Sequence, residues 1–315
     1  MEEGTIERAG TVRGAGGRGA SRRAARRAPG LYLVAPAVLV TAIFTLYPFA
    51  YAAYTSVRES SPLLEARFVG LENYRDVVTS AYFLQAATTT IIFTAVAVPI
   101  LVTLGVLVAS LLNERFFGNT FLRAAMLLPW GIPATAAGVI WKWIFLDGSG
   151  ALNAGLYASG ATNEYIHWLT TPNLARMVIV VVFIWTQLPL VSILLLAALQ
   201  RVPDELYDAA AVDGAHVLAR FRHVTLPGIR PMLVIVAAYE VLIAFATFDL
   251  VYTLTGGGPG SATMLISYFI WSETFGQLSF GGGAALAVVI ALASLFAIFV
   301  VLRAMPTDAL MEEER

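Results

Sequence analysis

The feature that most constrains the fold of this 315-residue chain is a series of long apolar runs separated by polar segments. A bilayer offers no water to unpaired backbone groups, so a lone segment crosses it as a helix, which needs about 20 apolar residues. Six runs reach this length, at about 31–54, 88–112, 121–146, 174–200, 229–254 and 284–302. The sequence therefore predicts an all-α polytopic membrane protein with six transmembrane helices.

Composition supports a lipid bilayer as a partner and excludes several others. Hydrophobic residues make up 58% of the chain, charged residues 13%, and the mean hydropathy is +0.74, which is unlike a soluble domain. A formal net charge of -1 gives no bulk affinity for nucleic acid. The absence of cysteine excludes disulfides, thiolate metal sites and thiol catalysis. We predict no nucleic-acid partner, no metal and no cofactor.

Lysine and arginine indicate the orientation, because short cytoplasmic segments of membrane proteins carry an excess of both. With the N-terminus inside, the inner side holds the N-terminal arginines together with Arg115, Arg123, Arg201, Arg220, Arg222, Arg230, Arg303 and Arg315. The outer side keeps Arg58, Arg67, Arg75, Lys142 and Arg176. This asymmetry places both termini and the segment 201–231 in the cytoplasm.

The ends of the chain differ in composition from its middle. Residues 1–30 are rich in Arg, Gly and Ala and show no apolar periodicity, which predicts a flexible cytoplasmic tail. The first apolar run is too long for the core of a signal peptide and is predicted to be an uncleaved span. The expected division is a tail at 1–30, a six-span domain at 31–303 and a cytoplasmic tail at 304–315.

The segment Arg201–Pro231 is a charged interruption between the fourth and fifth apolar runs. Pro203 suits a first helical residue, and Gly214 suits a helix end because glycine reaches positive φ at little cost. A second helix is expected from about Ala215, with Leu226-Pro227 as its stop. The sequence thus predicts a helix–Gly–helix elbow, which is either a lever moved by a partner or a plain linker.

The spacing inside this elbow carries a resemblance. Asp208-Ala209-Ala210, Gly214 four residues later, and Val224-Thr225-Leu226-Pro227 after nine more resemble the signature loop of permease subunits of ABC importers. Asp208 stands where the family has Glu and Val224 where it has Ile, which keeps charge and shape. Four further stretches resemble the carbohydrate-importer branch with its maltose-type permeases: FVGLENYRDV (68–77), LLPWGIPATAAGVIWKWIF (127–145), LQRVPDELY (199–207) and FDLVYTLTGGGP (248–259).

The resemblance implies a non-catalytic transport subunit in the cell membrane of a prokaryote, forming half of a pathway for a sugar or related polar solute. It implies a dimer of cytoplasmic ATP-binding subunits, a second permease subunit completing a heterodimer, and an extracytoplasmic solute-binding protein. The loop would dock on the ATPase through Glu205, Asp208, Ala209, Ala210, Gly214, Leu226 and Pro227. The chain has no nucleotide motif of its own, so the ATPase would be another polypeptide.

Three alternatives stay open at this point. The first is an ABC permease for a non-sugar solute such as a glycerol phosphate. A stand-alone secondary transporter would show paired repeats, and none of fixed period is found. An intramembrane enzyme would need a convergent catalytic set, yet the histidines lie in loops and no His-Glu-x-x-His or Gly-x-Ser-x-Gly pattern occurs.

Candidate residues for the solute path lie in the fourth and fifth runs. Glu240 is an ionisable group midway along its run, where charge is costly, and it serves either the path or an interhelical hydrogen bond. Trp185 and Gln187 precede Pro189, whose missing N–H is expected to unwind the helix, unless they only pack around a kink. The resemblance adds three more, Phe245, Thr247 and Asp249. Glu240 and Asp249 can line one cavity only if the span bends or unwinds.

Overall fold

A computed structural model describes residues 34–62, 64–114 and 116–304. The predicted N-terminal tail lies outside the described residues, as does the C-terminal tail beyond Ala304. Within them the chain is mostly helical, and it divides into two compact units at Ala52/Ala53, inside the first helix. The elements in chain order are α1 (Val34–Ser56), β1 (Arg58–Ser61), β2 (Leu64–Phe68), α2 (Glu72–Thr79), α3 (Ala81–Asn113), α4 (Asn119–Gly131), α5 (Ala134–Ile144), α6 (Ala151–Ala158), α7 (Pro172–Leu199), α8 (Asp204–Val212), α9 (Val217–Ala246), α10 (Asp249–Leu254), α11 (Ile266–Trp271) and α12 (Phe280–Ala304).

Five of the described helices are long and apolar enough to cross a membrane: α1, α3, α7, α9 and α12. The helices α4 and α5 pass the same test only as a pair, and they meet at an angle of 94°. Pro133 explains the bend, because a proline disfavours helical backbone in the residue before it and Ile132 is extended (ψ 126°). The third apolar run, predicted as one span, is therefore a bent pair of helices.

A short hairpin joins α1 to the next helices and was not predicted from sequence. Strands β1 and β2 pair antiparallel, with Glu59 opposite Arg67, and these two side chains form an ion pair at 3.2 Å. Both groups are exposed, so the pair adds little stability. The amide of Asn73 in α2 donates to the carbonyl oxygens of Ser56 and Arg58, both at 2.8 Å. These bonds hold the hairpin against α2.

The core lies between α3 and α7, which make the most extensive helix–helix contact. Ser80 begins α3 by accepting a hydrogen bond from the amide of Phe83 at 3.1 Å. Gly105 lets the helices approach closely, because a Cβ there would lie 2.5 Å from Cγ1 of Val191. Phe93 and Phe183 meet edge to face with centroids 5.1 Å apart. The helix α9 packs against α3, α7 and α12, so the core fixes its position.

The fifth apolar run differs most from its predicted limits. The helix α9 begins at Val217, inside the elbow, and continues through Leu226-Pro227 to Ala246. The expectation that Leu226-Pro227 stops the second elbow helix is therefore wrong. A π-turn at Phe221–Thr225 precedes the proline, and there the amide of Leu226 donates to the carbonyl of Phe221. This wider turn accommodates a residue that has no amide of its own to donate.

Candidate functional site

The elbow (201–231) begins with the short helix α8. Pro203 is extended (ψ 134°) and precedes the helix instead of opening it, and Asp204 and Glu205 occupy the first turn. Acidic residues there face the positive end of the helix dipole. The helix closes when the amide of Ala215 donates to the carbonyl of Ala210 at 2.9 Å. Gly214 makes this closure possible, because its φ of +75° is a backbone conformation that side chains disfavour.

Tyr207 joins α8 to α9 through a hydrogen bond and through packing. The hydroxyls of Tyr207 and Thr225 are hydrogen-bonded at 3.1 Å, and Tyr207 packs on the hydrophobic core together with Phe221 and Val224. At the start of α9, Nδ1 of His216 accepts from the amide of Ala219 at 3.2 Å. The helix α8 is therefore attached to α9 by a hydrogen bond and by shared apolar packing.

Most of the residues predicted to dock on a partner are exposed. Glu205, Asp208 and Ala209 are exposed and follow one another at helical spacing on one face of α8, while Ala210 is half-buried. Gly214, Leu226 and Pro227 are also exposed. Apolar side chains accompany them: Leu206 is 51% exposed, Val212 89% and Val217 74%. An exposed apolar set on a rigid helix is typical of a surface that another protein covers.

The fifth apolar run (span five) is interrupted at the end of α9 that lies away from the elbow. After Ala246 the backbone of Thr247 turns extended (ψ 102°), and α10 begins only at Asp249. The hydroxyl of Thr247 donates to the carbonyl of Ile243 at 2.8 Å, and its own carbonyl accepts from the hydroxyl of Ser267. We call Thr247–Phe248 the span-five break. Hydrogen bonds to Ile243 and from Ser267 stabilise this conformation of the backbone.

The two acids of span five have opposite surroundings. Glu240 is completely buried, and neither of its carboxyl oxygens has a hydrogen-bond partner within the described residues. Asp249 is exposed in the first turn of α10. The break between them is the unwinding that would allow both acids to line one cavity. They do not share a cavity here, because Glu240 is buried and Asp249 is exposed. Phe245 and Thr247 are half-buried beside the break.

The expected unwinding near Pro189 is absent. The helix α7 is continuous from Pro172 to Leu199, and Pro189 is buried within it. A proline removes one backbone hydrogen bond, and packing of the flanking turns against α3 holds the rest of the helix. Trp185 is half-buried and meets Trp141 edge to face at 5.4 Å, while Gln187 is half-buried without a side-chain hydrogen bond in the described part of the chain.

An aromatic tetrad that begins in the span-five break was not predicted from the sequence. It consists of Phe248, Tyr252, Tyr268 and Trp271, whose ring centroids lie 4.9 to 6.4 Å apart in all their pairings. The helices α10 and α11 each contribute at least one ring, and the turn between them brings the rings together. Helical spacing of aromatic residues, four apart in one stretch and three in the other, was the available signal.

A polar network fixes the connection between α5 and α7. Asn153 is almost completely buried and makes four hydrogen bonds, to the carbonyls of Asp147 and Ile166 and from the amide of Ile166 and the indole of Trp168. Burial alone would raise the pKa of Asp147, but hydrogen bonds from Thr170 and the Leu169 amide hold that pKa below its ordinary value. The network makes this connection a rigid cap.

Long apolar helices joined by an exposed and rigid elbow define a multi-pass membrane protein that presents a folded surface to water. A family model described as "Binding-protein-dependent transport system inner membrane component" matches residues 82–305. The chain belongs to this family, and it is a transport subunit of the membrane and not an enzyme.

Three characterised relatives place the chain more closely. It is 35% identical to the sulfoquinovosyl glycerol transport system permease protein of Agrobacterium fabrum, over 87% of this chain and 89% of that one. It is 34% identical to the trehalose/maltose transport system permease protein of Thermococcus litoralis, over 82% and 88%. The sn-glycerol-3-phosphate transport system permease protein of Rhizobium meliloti is 31% identical, over 82% and 88%.

Solved structures show the same fold. A chain in the crystal structure of a bacterial alginate ABC transporter, in complex with an alginate pentasaccharide-bound periplasmic protein, aligns with a TM-score of 0.77. The alignment covers 90% of this chain and 95% of that chain at 18% sequence identity. The arrangement of helices described above is therefore the one found in that transporter chain.

Proposed function

We propose that the chain is the membrane-spanning permease subunit of an ATP-driven importer for a sugar or a related polar solute. The elbow carries this proposal, because an exposed helix packed rigidly on a spanning helix is what a cytoplasmic motor needs to move the bundle. Relatives named for trehalose/maltose and sulfoquinovosyl glycerol transport support a sugar as the solute.

The proposed topology has six spans, with α4 and α5 together forming the third. Both termini and the elbow lie in the cytoplasm of a prokaryotic cell, as the Lys and Arg distribution predicts. The span-five break, the tetrad and the connection between α5 and α7 then face the opposite side of the membrane. A solute-binding protein would approach from that side.

A dimer of cytoplasmic ATP-binding subunits is proposed to dock on the elbow. The docking surface is formed by Glu205, Asp208, Ala209, Ala210, Gly214, Leu226 and Pro227. A second permease subunit is proposed to complete the pathway as a heterodimer partner. Exposed apolar side chains next to the docking residues, such as Leu206 and Val212, would supply the buried area of the ATPase contact.

The structure suggests how force would travel from the ATPase to the solute path. The helix α9 has 30 residues, so it is a rod about 45 Å long from the elbow to the span-five break. Closure of the ATPase dimer would push α8, and the Tyr207–Thr225 contact would pass the motion to α9. Its far end would then shift the backbone at Thr247, beside the proposed path residues.

Those path residues are Phe245, Thr247 and Asp249 at the break, with Trp185 and Gln187 on α7. The aromatic rings can stack on a sugar ring, and the polar groups can bind its hydroxyls. Glu240 belongs to this set only in a state in which the bundle opens, because it is completely buried here. In the state described here Glu240 does not reach solute, and it makes no interhelical hydrogen bond, because neither carboxyl oxygen has a partner within the described residues.

Uptake by the reconstituted complex tests the proposal. The chain would be placed in liposomes with its neighbouring-gene permease, ATPase and binding protein, and uptake of trehalose, maltose and glycerol 3-phosphate would be measured with and without ATP. We expect ATP-dependent uptake of a neutral sugar. ATP-dependent uptake of glycerol 3-phosphate alone would replace the sugar by the alternative solute class, and uptake without ATP would contradict the importer.

A further inference from the structure

A polar groove of about 650 Å³ lies beside the aromatic tetrad. None of the residues that line it belongs to the docking surface or the solute path proposed above. Its walls are formed by the start of α3, the turn after α10, the helix α11 and the π-helical turn Ser272–Gly276 that follows α11. Its volume is in the range of roughly 300–1,000 Å³ that is usual for small-molecule sites. The polar side chains that line it are Tyr82, Ser261, Tyr268, Ser272, Glu273 and Gln277.

These side chains have unused hydrogen-bonding capacity. Within the described part of the chain, none of their oxygen or nitrogen atoms makes a side-chain hydrogen bond, and Glu273 has no ion-pair partner. They are exposed or half-buried, so water occupies their donors and acceptors in the empty state. Among the described residues no lysine or arginine lines the groove. The groove therefore offers hydroxyl, amide and carboxylate groups without a positive charge.

The groove is a preformed feature of the fold. Met264 and Phe269 form its floor and are 6% and 7% exposed, packed in a hydrophobic cluster. The glycine turn at its edge is held by Thr263, which is completely buried, donates to the carbonyl of Gly258 and meets the hydroxyl of Thr255 at 2.7 Å. These contacts fix the groove without a ligand, which lowers the entropic cost of binding.

Gly257 shapes the groove through a close approach. A Cβ there would lie 2.8 Å from Cε1 of Tyr268, so only glycine lets the tyrosine ring lie against the turn. Tyr268 also belongs to the aromatic tetrad. One continuous aromatic surface thus leads from the groove to Phe248 and the span-five break. Aromatic faces of this kind suit the apolar faces of sugar rings, and the polar walls suit their hydroxyl groups.

We propose that this groove is a second binding site, for an uncharged saccharide or polyol, next to the solute path and separate from Phe245, Thr247 and Asp249. Hydroxyls of the ligand donate to Glu273 and exchange hydrogen bonds with the serines, while its ring lies against Tyr268. The carboxylate without a nearby cation disfavours anionic solutes, because like charges brought together cost binding energy. This second site rests on the proposed import function.

The absence of cysteine from the chain makes a direct test possible. Gln277→Cys would be introduced into the full complex in right-side-out vesicles and labelled with a membrane-impermeant maleimide. With trehalose or maltose at about ten times its half-saturating concentration, labelling should slow about tenfold. Asn163→Cys, at an exposed position between α6 and α7, is the control and should be labelled at an unchanged rate. Glycerol 3-phosphate should protect neither site.

A charge reversal sharpens the test. In the Gln277→Cys background, Glu273→Gln should keep protection by the neutral sugars, whereas Glu273→Lys should make glycerol 3-phosphate protective. Neutral-sugar uptake without protection of Gln277→Cys would overturn the groove and leave the import function standing. Loss of both neutral-sugar uptake and protection would overturn the import function together with the groove. A Gln277→Cys that the maleimide never labels would mean that another subunit covers the groove, which also overturns the proposal.

Discussion

The elbow gives the sharpest prediction, because the chain offers a matched pair of glycines. Gly214 has φ +75° and Gly160 has φ +72°, and at neither position would an added Cβ meet another atom within 4 Å. An added Cβ therefore clashes with nothing at either position, and the cost that the two substitutions share is backbone strain. Left-handed backbone costs a residue with a side chain about 1–2 kcal/mol. Such a cost lowers the population of the strained turn about 5- to 30-fold against relaxed alternatives.

The consequences of the two substitutions should differ because their places in the fold differ. Relaxation at Gly214 breaks the closure between Ala215 and Ala210 and turns α8 away from α9. We expect Gly214→Val to lower ATP-dependent uptake by up to about 5- to 30-fold, since docking requires the strained turn. Gly160→Val carries the same strain in the connection between α6 and α7, and its uptake should stay within about twofold.

The assay compares the two variants in proteoliposomes with the ATPase present. Uptake, ATP hydrolysis, the amount of chain in the membrane and the thermal unfolding temperature are measured for each. Gly214→Val should lose transport while the chain inserts normally and the ATPase still hydrolyses ATP without coupling. Normal uptake by Gly214→Val would refute the lever, and equal loss in Gly160→Val would show that strain at any loop glycine suffices.

Further predictions concern packing and the polar cap. Asn153→Ala leaves several buried groups unpaired and should destabilise the chain by about 2–3 kcal/mol, measured as thermal unfolding in detergent. The pKa of Asp147 is lowered by folding, so its stabilising contribution is present above its ordinary pKa and is lost as pH falls through the folded value; Asp147→Asn should flatten the acid side of the stability profile. Gly105→Ala should cost about 1–3 kcal/mol through overpacking, and a Val191→Ala partner should restore much of it, as double-mutant unfolding would show.

Local signals in the sequence predicted the parts of the fold that local physics controls. Runs of apolar residues predicted the long helices, since a helix that crosses a bilayer needs about 20 apolar residues. The helix before Gly214 followed from acidic residues at its start and glycine at its end, and the structure has it at Asp204–Val212. The proline at position 133 can be read from the sequence, but the 94° angle of the bend cannot, because the angle depends on packing.

Tertiary contacts decided the features that were missed or predicted wrongly. At the span-five break the free carbonyl of Thr247 accepts a hydrogen bond from the hydroxyl of Ser267, which lies twenty residues later in the chain. The tetrad and the groove join residues of α10 and α11 across the intervening turn, and no local pattern states which rings will meet. At Pro189 the sequence predicted unwinding, yet packing against α3 kept α7 helical.

The continuity of α9 changes what the elbow can do. If Leu226-Pro227 had ended the second elbow helix, as the sequence predicts, a hinge would separate the elbow from span five and absorb its motion. The π-turn at Phe221–Thr225 instead keeps the helix unbroken from Val217 to Ala246. A helix transmits displacement along its axis because each backbone hydrogen bond resists stretching. The first place where that resistance ends is Thr247, so the helix is interrupted beside the proposed path and not beside the proposed ATPase contact.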